Sequence, residues 1–289
     1  MACIDMNHSL SSSTDLSGLC LVESYAAACA RSSEIDALAR AKHSHGCHSL
    51  PPRFLRHADE QTVIGMHSVV RAMAVDTQSH RDICNDAVIA ATCLGGQPSA
   101  ARTMIGLRDK GPVAVTPHIV PQCSLHSMAS AASVGFGMHG PNFGVGGGPH
   151  ATAEGFLLAL TLAPMLAKTS PSARIWLICT AWDQQPSVDA KGVLTNDPIC
   201  RGMTFVLNPE IEQTLGETQP RIQIASRKQD TSLNVVPPDS HLKELCEQFE
   251  NGNHTTISVT DTCAIEIQPL PPKQLLSKSD EMISKKEAA

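Results

Sequence analysis

The stretch from Gly111 to Trp182 constrains the fold of this chain more than any other part of the sequence. It opens with a short apolar run that contains two prolines, Pro117 and Pro121. Small residues dominate the part that follows, and they predict a helix from about Cys123 to Val134.

The second half of this stretch is richer still in glycine. The tripeptide Gly140 to Asn142 is followed by a glycine run from Gly144 to Gly148. An apolar segment from Ala151 to Lys168 is long enough to be a helix, and Arg174 to Trp182 has the β-branched and aromatic residues of a buried strand. A helix that leads into a buried strand in this way is typical of a layered α/β domain.

This order of elements resembles the nucleophile region of the β-ketoacyl synthases, which belong to the thiolase superfamily. In that family a proline-bracketed segment, a packed helix and a Gly-Pro-Asn or Gly-Pro-Ser tripeptide precede a short buried strand. A reactive cysteine then stands at the N-terminus of a helix. The family cysteine falls seven residues after the position of Asn142, and that position is Pro149 in this chain.

The proline removes the chemistry that the family performs at this position. A thiolate at a helix N-terminus is stabilised by the helix dipole and by unpaired backbone N–H groups. Pro149 has neither sulfur nor a backbone N–H, although proline suits the first turn of a helix. His150 follows, but a histidine without a nucleophile is typical of a helix start. We therefore expect no catalytic residue at this position.

The resemblance covers about residues 18 to 210, but outside Gly111 to Trp182 its motifs are less specific. Gly18 to Ala30 matches an opening strand, and Ala87 to Gly96 matches a buried strand that ends in a glycine turn. Arg53 and Arg56, after two prolines, precede a long helix with an apolar stripe, and we expect these arginines to face solvent. Asp197 to Leu207 matches a passage that ends in an edge strand.

The fold implied by this resemblance is an α/β, thiolase-like half domain, with a mixed five-stranded sheet covered by helices. We place the domain at residues 18–270, between a flexible N-terminus (1–17) and a flexible tail (271–289). Two further strands and a short helix, Ser240 to Glu250, are predicted within it after residue 220. The second half of a complete ketosynthase supplies two catalytic histidines, and the chain is expected to end where that half would begin.

Composition narrows the classes of function. The net charge is −6 and only 17% of residues are charged, so we expect neither a nucleic-acid footprint nor a basic membrane-binding face. The 11 cysteines include no close CxxC pair, which favours reduced core thiols and a cytoplasmic location over a disulfide framework. The longest strongly apolar window, Phe156 to Ala167, is too short for a membrane span and predicts a buried helix.

Two motifs, a histidine-rich segment and the glycine run, contain residue types that bind metals or phosphates in other proteins. Three histidines and a cysteine in His43 to His48 are zinc-type ligands, but their spacing fits no helix face, so we expect a solvated loop and no metal. The glycine run has neither GxGxxG spacing nor a P-loop lysine. We expect close packing there and no cofactor.

The resemblance implies a function as well. Nucleophile-free ketosynthase-like proteins pair with an active β-ketoacyl synthase as chain-length factors and form part of the wall of its acyl tunnel, in polyketide or fatty-acid-like elongation with an acyl carrier protein. Ile119 matches the family position of a bulky tunnel residue, two positions after a proline. The residues expected at the tunnel or the interface are His118, Ile119, Gln122, Cys123, His126 and His150.

Two alternatives remain open. Cys123 and His126 are three residues apart on the predicted helix, so they would lie near each other and, like His150, would suit a divergent acyltransferase. The other alternative is a homodimer with a scaffolding role and no chemistry.

Overall fold

A computed structural model describes nine segments of the chain, residues 19–42, 44–45, 48–51, 53–75, 81–209, 221–226, 241–251, 255–258 and 263–268. The predicted flexible segments 1–17 and 271–289 lie outside the described residues. So do His43, Gly46 and Cys47 of the histidine-rich motif.

One mixed sheet of eight strands organises the described residues, in the order β5-β4-β6-β7-β1-β8-β10-β9. The strands are β1 Leu19–Arg31, β2 Ser44–His45, β3 His48–Ser49, β4 Ala87–Thr92, β5 Asn142–Gly146, β6 Ile175–Trp182, β7 Ile199–Asn208, β8 Arg221–Ser226, β9 Thr255–Ser258 and β10 Cys263–Gln268. β2 and β3 pair separately as a two-residue hairpin in the histidine-rich segment.

The helices cover this sheet. They are α1 Ser32–Arg40, α2 Glu60–Val75, α3 Gln97–Lys110, α4 Ile119–Gln122, α5 Ser127–Phe136, α6 Ala151–Thr169 and α7 His241–Glu250, with a 3₁₀ turn at Pro112–Ala114. Apolar residues recur along α2 at helical spacing, and Val63, Met66 and Met73 are buried, as the apolar stripe predicts.

The five-stranded sheet expected from the sequence forms the first part of the larger one. β4 is parallel to β5 and β6, whereas β7 runs antiparallel to both β6 and β1. The sheet then continues through three antiparallel strands, β8, β10 and β9, beyond β1. The prediction of an edge strand at Asp197–Leu207 is wrong, because β7 lies between β6 and β1 and is buried along most of its length.

Two hydrophobic layers enclose the sheet. On one face α6 and α7 pack against the sheet, with Phe156 and Phe249 both in edge-to-face contact with Phe205 of β7. On the other face α2 and α5 pack around Trp176 and Ile178 of β6. Because β6 is buried on both faces, its sequence is continuously apolar instead of alternating.

Helix α6 is the one helix among the described residues that is long and apolar enough to cross a membrane. Half of its most apolar window is nevertheless buried inside the domain, and nine of its residues are buried against other elements. The helix is longer at both ends than the apolar window of Phe156 to Ala167, and Pro164 lies within it. The packing of α6 on β4 and β6 is that of a core helix, as predicted.

Candidate functional site

Five of the six predicted site residues lie on the connection between α3 and α5, residues 111–126, which we call the α3–α5 connection. His118 and Cys123 flank the single turn of α4, and Ile119 and Gln122 are half-buried within that turn. The imidazole of His118 stacks on that of His57, with ring centroids 4.3 Å apart and planes 4° from parallel. Gln122 Nε2 donates to the His57 carbonyl at 2.9 Å, so the connection is fixed to the turn that precedes α2.

The helix predicted from Cys123 begins instead at Ser127, and this difference separates two candidate residues. The Ser124 hydroxyl accepts a hydrogen bond from the His126 backbone N–H at 3.2 Å, which satisfies that N–H locally and interrupts the helix. Cys123 ends α4 and His126 precedes α5. They do not share a helix face, so the expectation that they form a helical pair is wrong.

Cys123 also has the wrong environment for a nucleophile. Burial raises the pKa of its thiol, and the carboxylate of Asp59 raises it further. The Sγ atom lies 3.7 Å from the Gly96 carbonyl, to which the thiol donates. A reactive cysteine needs neighbours that stabilise the thiolate, and these neighbours favour the thiol.

Pro149, the position that the sequence resemblance assigns to the family nucleophile, lies at the start of α6. Pro149 and His150 are both exposed, and His150 is the N-cap residue of α6, with no hydrogen bond from its side chain to the first turn. Gly148 accepts a hydrogen bond from the Ala151 N–H at 3.2 Å. The structure therefore has a helix N-terminus directly after Pro149, and a helix N-terminus is a setting that can stabilise a thiolate.

The glycine run serves close packing, as the sequence predicts. Gly146 has a φ of +99°, and a Cβ there would stand 2.5 Å from the Cβ of Ala151 and 2.8 Å from the Thr92 carbonyl oxygen. A Cβ at Gly144 would overlap the carbonyl group of Leu125. These approaches bring the α3–α5 connection, β5 and the start of α6 together around the former nucleophile position.

A polar group at the start of α2 lies beside this region and was not predicted. Asp59 is buried and caps α2, because its carboxylate accepts hydrogen bonds from the Gln61 and Thr62 backbone N–H groups, each at 3.0 Å. Burial raises the pKa of Asp59 despite these hydrogen bonds. The Asp-Glu-Gln-Thr sequence before an apolar run is the signal that identifies such a cap.

Gln61 extends the polar group into the sheet. Its Nε2 donates to the Cys93 carbonyl at 2.6 Å, and its Oε1 accepts from the Thr180 hydroxyl at 3.2 Å. Gln61 and Thr180 are both buried, so these bonds hold the carboxyl ends of β4 and β6 against α2. They position the backbone and offer no proton donor or acceptor to a substrate.

Strand β5 forms the edge of the sheet next to the α3–α5 connection. At one end of β5 the Val88 N–H of β4 donates a hydrogen bond to the Pro141 carbonyl at 2.8 Å. At the other end the Gly147 N–H donates to the Thr92 carbonyl of β4 at 2.7 Å. The backbone N–H and carbonyl groups of the odd-numbered residues of β5 therefore point toward β4. Those of Asn142 and Gly144 point away from β4, toward the edge of the sheet. No strand of the described residues pairs with this edge, and an unpaired edge can accept another strand.

Exposed apolar side chains concentrate in one part of the sequence, from α3 through the α3–α5 connection and α5 to β5. In the described part of the chain, ten large hydrophobic side chains are exposed, and seven of them lie between residues 104 and 143. They are Met104, Leu107, Val113, Val115, Val120, Val134 and Phe143. An apolar surface of this kind beside an unpaired strand is typical of a protein interface.

Among the residues that the structure describes, no group of three or more His, Cys, Asp or Glu side chains is placed to hold a metal ion. The histidine-rich segment falls largely outside those residues, so the prediction of no metal there stays a prediction.

No protein-family model and no curated protein matches the sequence. Several solved structures are similar to this chain in fold. A chain of the AntDE:AntF complex, described as a type II PKS acyl-carrier protein with its ketosynthase bound to the hexaketide, has a TM-score of 0.53 at 12% identity, covering 88% of this chain and 100% of that one. The ishigamide ketosynthase/chain length factor gives 0.48 at 13% identity, with 88% and 100% coverage. A complex of the ketosynthase ApeO with its chain length factor ApeC, from Xenorhabdus doucetiae, gives 0.42 at 10%, with 74% and 62% coverage.

The likeness to the AntDE:AntF chain confirms the predicted fold class, because it extends over most of this chain and all of that one. The described residues have an α/β, thiolase-like fold of the ketosynthase type. At 12% identity the likeness establishes the fold alone. What this chain does depends on the residues at its own site.

Proposed function

We propose that this chain is a non-catalytic, ketosynthase-like subunit of the chain-length-factor type. It pairs with an active β-ketoacyl synthase in the cytoplasm and shapes the acyl tunnel during elongation of a polyketide or fatty-acid-like chain. An acyl carrier protein reaches it through the complex. The observation that carries this proposal is the combination of a ketosynthase fold with Pro149 at the start of α6.

The pairing part of the proposal is supported by the surface around β5. An exposed edge strand offers backbone hydrogen bonds to a partner strand, and the apolar side chains beside it offer area to bury. Strand addition between two sheets of the same fold joins them into one continuous sheet. The absence of a nucleophile at the start of α6 does not impair this role, since pairing through the β5 edge depends on the fold and not on a reactive side chain.

Co-expression with the ketosynthase encoded nearest to this chain tests the proposal. Phe143 is 37% exposed on the edge strand, and Phe143→Lys places a charge in the expected interface. We expect this change to weaken the complex at least tenfold in analytical ultracentrifugation. Met165→Lys is the matched control, because Met165 is 45% exposed on α6 and distant in sequence from this surface.

The result that contradicts the proposal is equally specific. If the chain and the ketosynthase sediment separately at micromolar concentration, or if the chain alone elongates a thioester-bound acyl group, the assignment fails. Equal weakening by Phe143→Lys and Met165→Lys would show that the complex forms through another surface.

Ile119 is the residue that we propose to face the tunnel of the partner. It is half-buried in α4, next to the exposed Val120. In a reconstituted system, Ile119→Ala is expected to lengthen the product and Ile119→Trp to shorten it, because side-chain volume limits the depth of a tunnel. The measurement is product length by mass spectrometry. An unchanged distribution with an intact complex would remove Ile119 from this role while leaving the pairing in place.

The structure gives no support to the Cys123 and His126 form of the acyltransferase alternative, and the form that uses His150 stays open. Cys123 and His126 lie on different elements, and the Cys123 thiol has a raised pKa. Incubation with acyl thioesters followed by intact-mass spectrometry tests this alternative directly, because a covalent adduct on Cys123 would revive it. The scaffolding homodimer is tested by sedimentation of the isolated chain.

A further inference from the structure

A small cavity on the surface of the domain is lined by three arginines. Arg40, Arg53 and Arg56 border it together with Ala39, and its volume is about 240 Å³. We propose that this cavity binds a phosphate-class oxyanion, either free phosphate or the phosphoryl group of a small monoester. The proposal is independent of the proposed function, because it concerns the isolated chain.

The charge of this cavity is not balanced by the described residues. Five other arginines form ion pairs with carboxylates: Arg81, Arg102, Arg108, Arg174 and Arg201. In the described segments no carboxylate lies within ion-pair distance of Arg40, Arg53 or Arg56. The whole chain carries a net charge of −6, so three unpaired cations around one cavity are not a consequence of a basic composition. An anion would relieve their mutual repulsion.

The scaffold holds Arg53 and Arg56 in place. They lie on a turn that is closed by hydrogen bonds from the Phe54 N–H to the Pro51 carbonyl and from the Arg56 N–H to the Arg53 carbonyl, each at 3.0 Å. Leu55, between the two arginines, is 1% exposed and anchors the turn in the core. Arg53 has a φ of +64°, a left-handed conformation that a residue with a Cβ adopts only at an energetic cost.

The third arginine comes from a different element. Arg40 lies in the last turn of α1, a helix anchored to the core by the buried Ile35. Three arginines from two separately anchored backbones thus line one cavity, and a bound anion would order their exposed side chains. Because the guanidinium fork matches the spacing of phosphate oxygens, this geometry favours a tetrahedral oxyanion over chloride.

The size of the cavity limits the ligand. Pockets for drug-sized molecules measure roughly 300–1,000 Å³, and this cavity lies below that range. It has room for a phosphoryl group and the first atoms attached to it. A whole nucleotide would extend into solvent.

Phosphorus NMR and calorimetry of the isolated full chain with inorganic phosphate test the proposal at constant ionic strength, with chloride as the balancing anion. We expect saturable binding with one phosphate per chain. The double variant Arg53→Gln/Arg56→Gln is expected to bind at least tenfold more weakly. Its matched control is Arg71→Gln/Arg108→Gln, which removes the same charge from arginines outside the cavity and should leave binding unchanged.

One further variant and one further ligand test the role of the guanidinium group and the type of phosphate that binds. Arg53→Lys keeps the charge and removes the fork, so we expect binding several-fold weaker than wild type. Glycerol 3-phosphate separates the two sources, since equal affinity identifies a monoester and much weaker affinity identifies free phosphate. Equal loss of binding in the two double variants, or phosphate binding no tighter than chloride, would overturn the proposal.

Discussion

Pro149, which the resemblance places at the nucleophile position, stands at the start of a complete helix, α6. The ring stands exposed directly before the N-cap of α6, next to Gly148, around which a Cβ would meet nothing within 4 Å. The helix dipole and the free N–H groups of the first turn remain available. At this position the proposed loss of the nucleophile therefore involves one side chain and one backbone N–H.

Pro149→Cys is expected to recover an activated thiol. We predict a thiol pKa below the ordinary value of about 8.5, because the helix N-terminus stabilises the thiolate, and thus below that of Cys123, whose pKa is raised. The measurement is the pH dependence of alkylation by iodoacetamide, resolved by peptide mass spectrometry. If the introduced thiol titrates no lower than the thiol of Cys123, the N-terminus of α6 is not an activating site.

Asp59 gives the fold a dependence on pH. Burial raises its pKa in the folded chain, so the folded state binds a proton more tightly than the unfolded state does. This group therefore stabilises the fold most below its unfolded pKa, and the contribution is lost as pH rises through the raised folded value. Asn is an equally good helix cap.

We predict that Asp59→Asn flattens this dependence. Urea unfolding between pH 4 and pH 7 should show a smaller loss of stability with rising pH in Asp59→Asn than in wild type. Asp36→Asn, at an exposed position on α1, serves as the control and should keep the wild-type slope. Identical slopes in all three proteins would contradict the assignment.

At the scale of the elements, the packing of β5 against the α3–α5 connection depends on Gly144. A Cβ at this position would overlap backbone atoms of Leu125 and His126, which cannot move aside as a flexible side chain can. We predict that Gly144→Ala lowers the free energy of unfolding by about 2 kcal/mol or more. Gly148→Ala, with open space around it, should change it by less than ~0.5 kcal/mol. Chemical denaturation measures both, and equal effects would contradict the packing.

The elements that the sequence predicts well are those with a strong local pattern. The helix expected at Ala151–Lys168 is observed as Ala151–Thr169, and the strand expected at Arg174–Trp182 as Ile175–Trp182. The helix expected at Ser240–Glu250 begins at His241. In each case apolar composition, periodicity and a clear boundary residue agree.

The elements that the sequence missed depend on distant contacts. The interior position of β7 follows from its pairing with β1, where Ala30 faces Cys200, a contact across more than half of the chain. Helix α3, Gln97–Lys110, has a weakly amphipathic sequence in which only Pro98 and Ser99 are buried, so periodicity gives little signal. Convergence of the α3–α5 connection on the start of α6 also depends on tertiary contacts at Gly144 and Gly146.

At the scale of the whole molecule, a chain of polar contacts crosses the sheet. The buried Asp86 accepts hydrogen bonds from Arg81 at 2.8 Å and from Trp176 Nε1 at 2.7 Å, and from the Arg174 backbone N–H at 2.9 Å. Arg174 in turn forms an ion pair with Glu23 at 2.6 Å, and Glu23 accepts from Asn208. The contacts join β4, β6, β1 and β7 at one end of the sheet.

We predict that Asp86→Asn destabilises the whole fold by about 3 kcal/mol, because it leaves the charge of Arg81 largely buried without its carboxylate. Asp109→Asn is the control, since the Arg108–Asp109 pair is exposed and an exposed ion pair contributes little to stability. Thermal and urea unfolding give both values. A loss for Asp86→Asn as small as that for Asp109→Asn would show that the polar chain is not stabilising.

The sheet grows beyond β1 through three further strands but stops at β5. Among the described residues its other border is β9, so the proposed pairing uses only one of the two borders. If β5 of one chain pairs with the edge strand of a partner, both of those edges are occupied and neither is left for a third chain. The proposed assembly through β5 is therefore expected to end at two chains and not to grow into filaments.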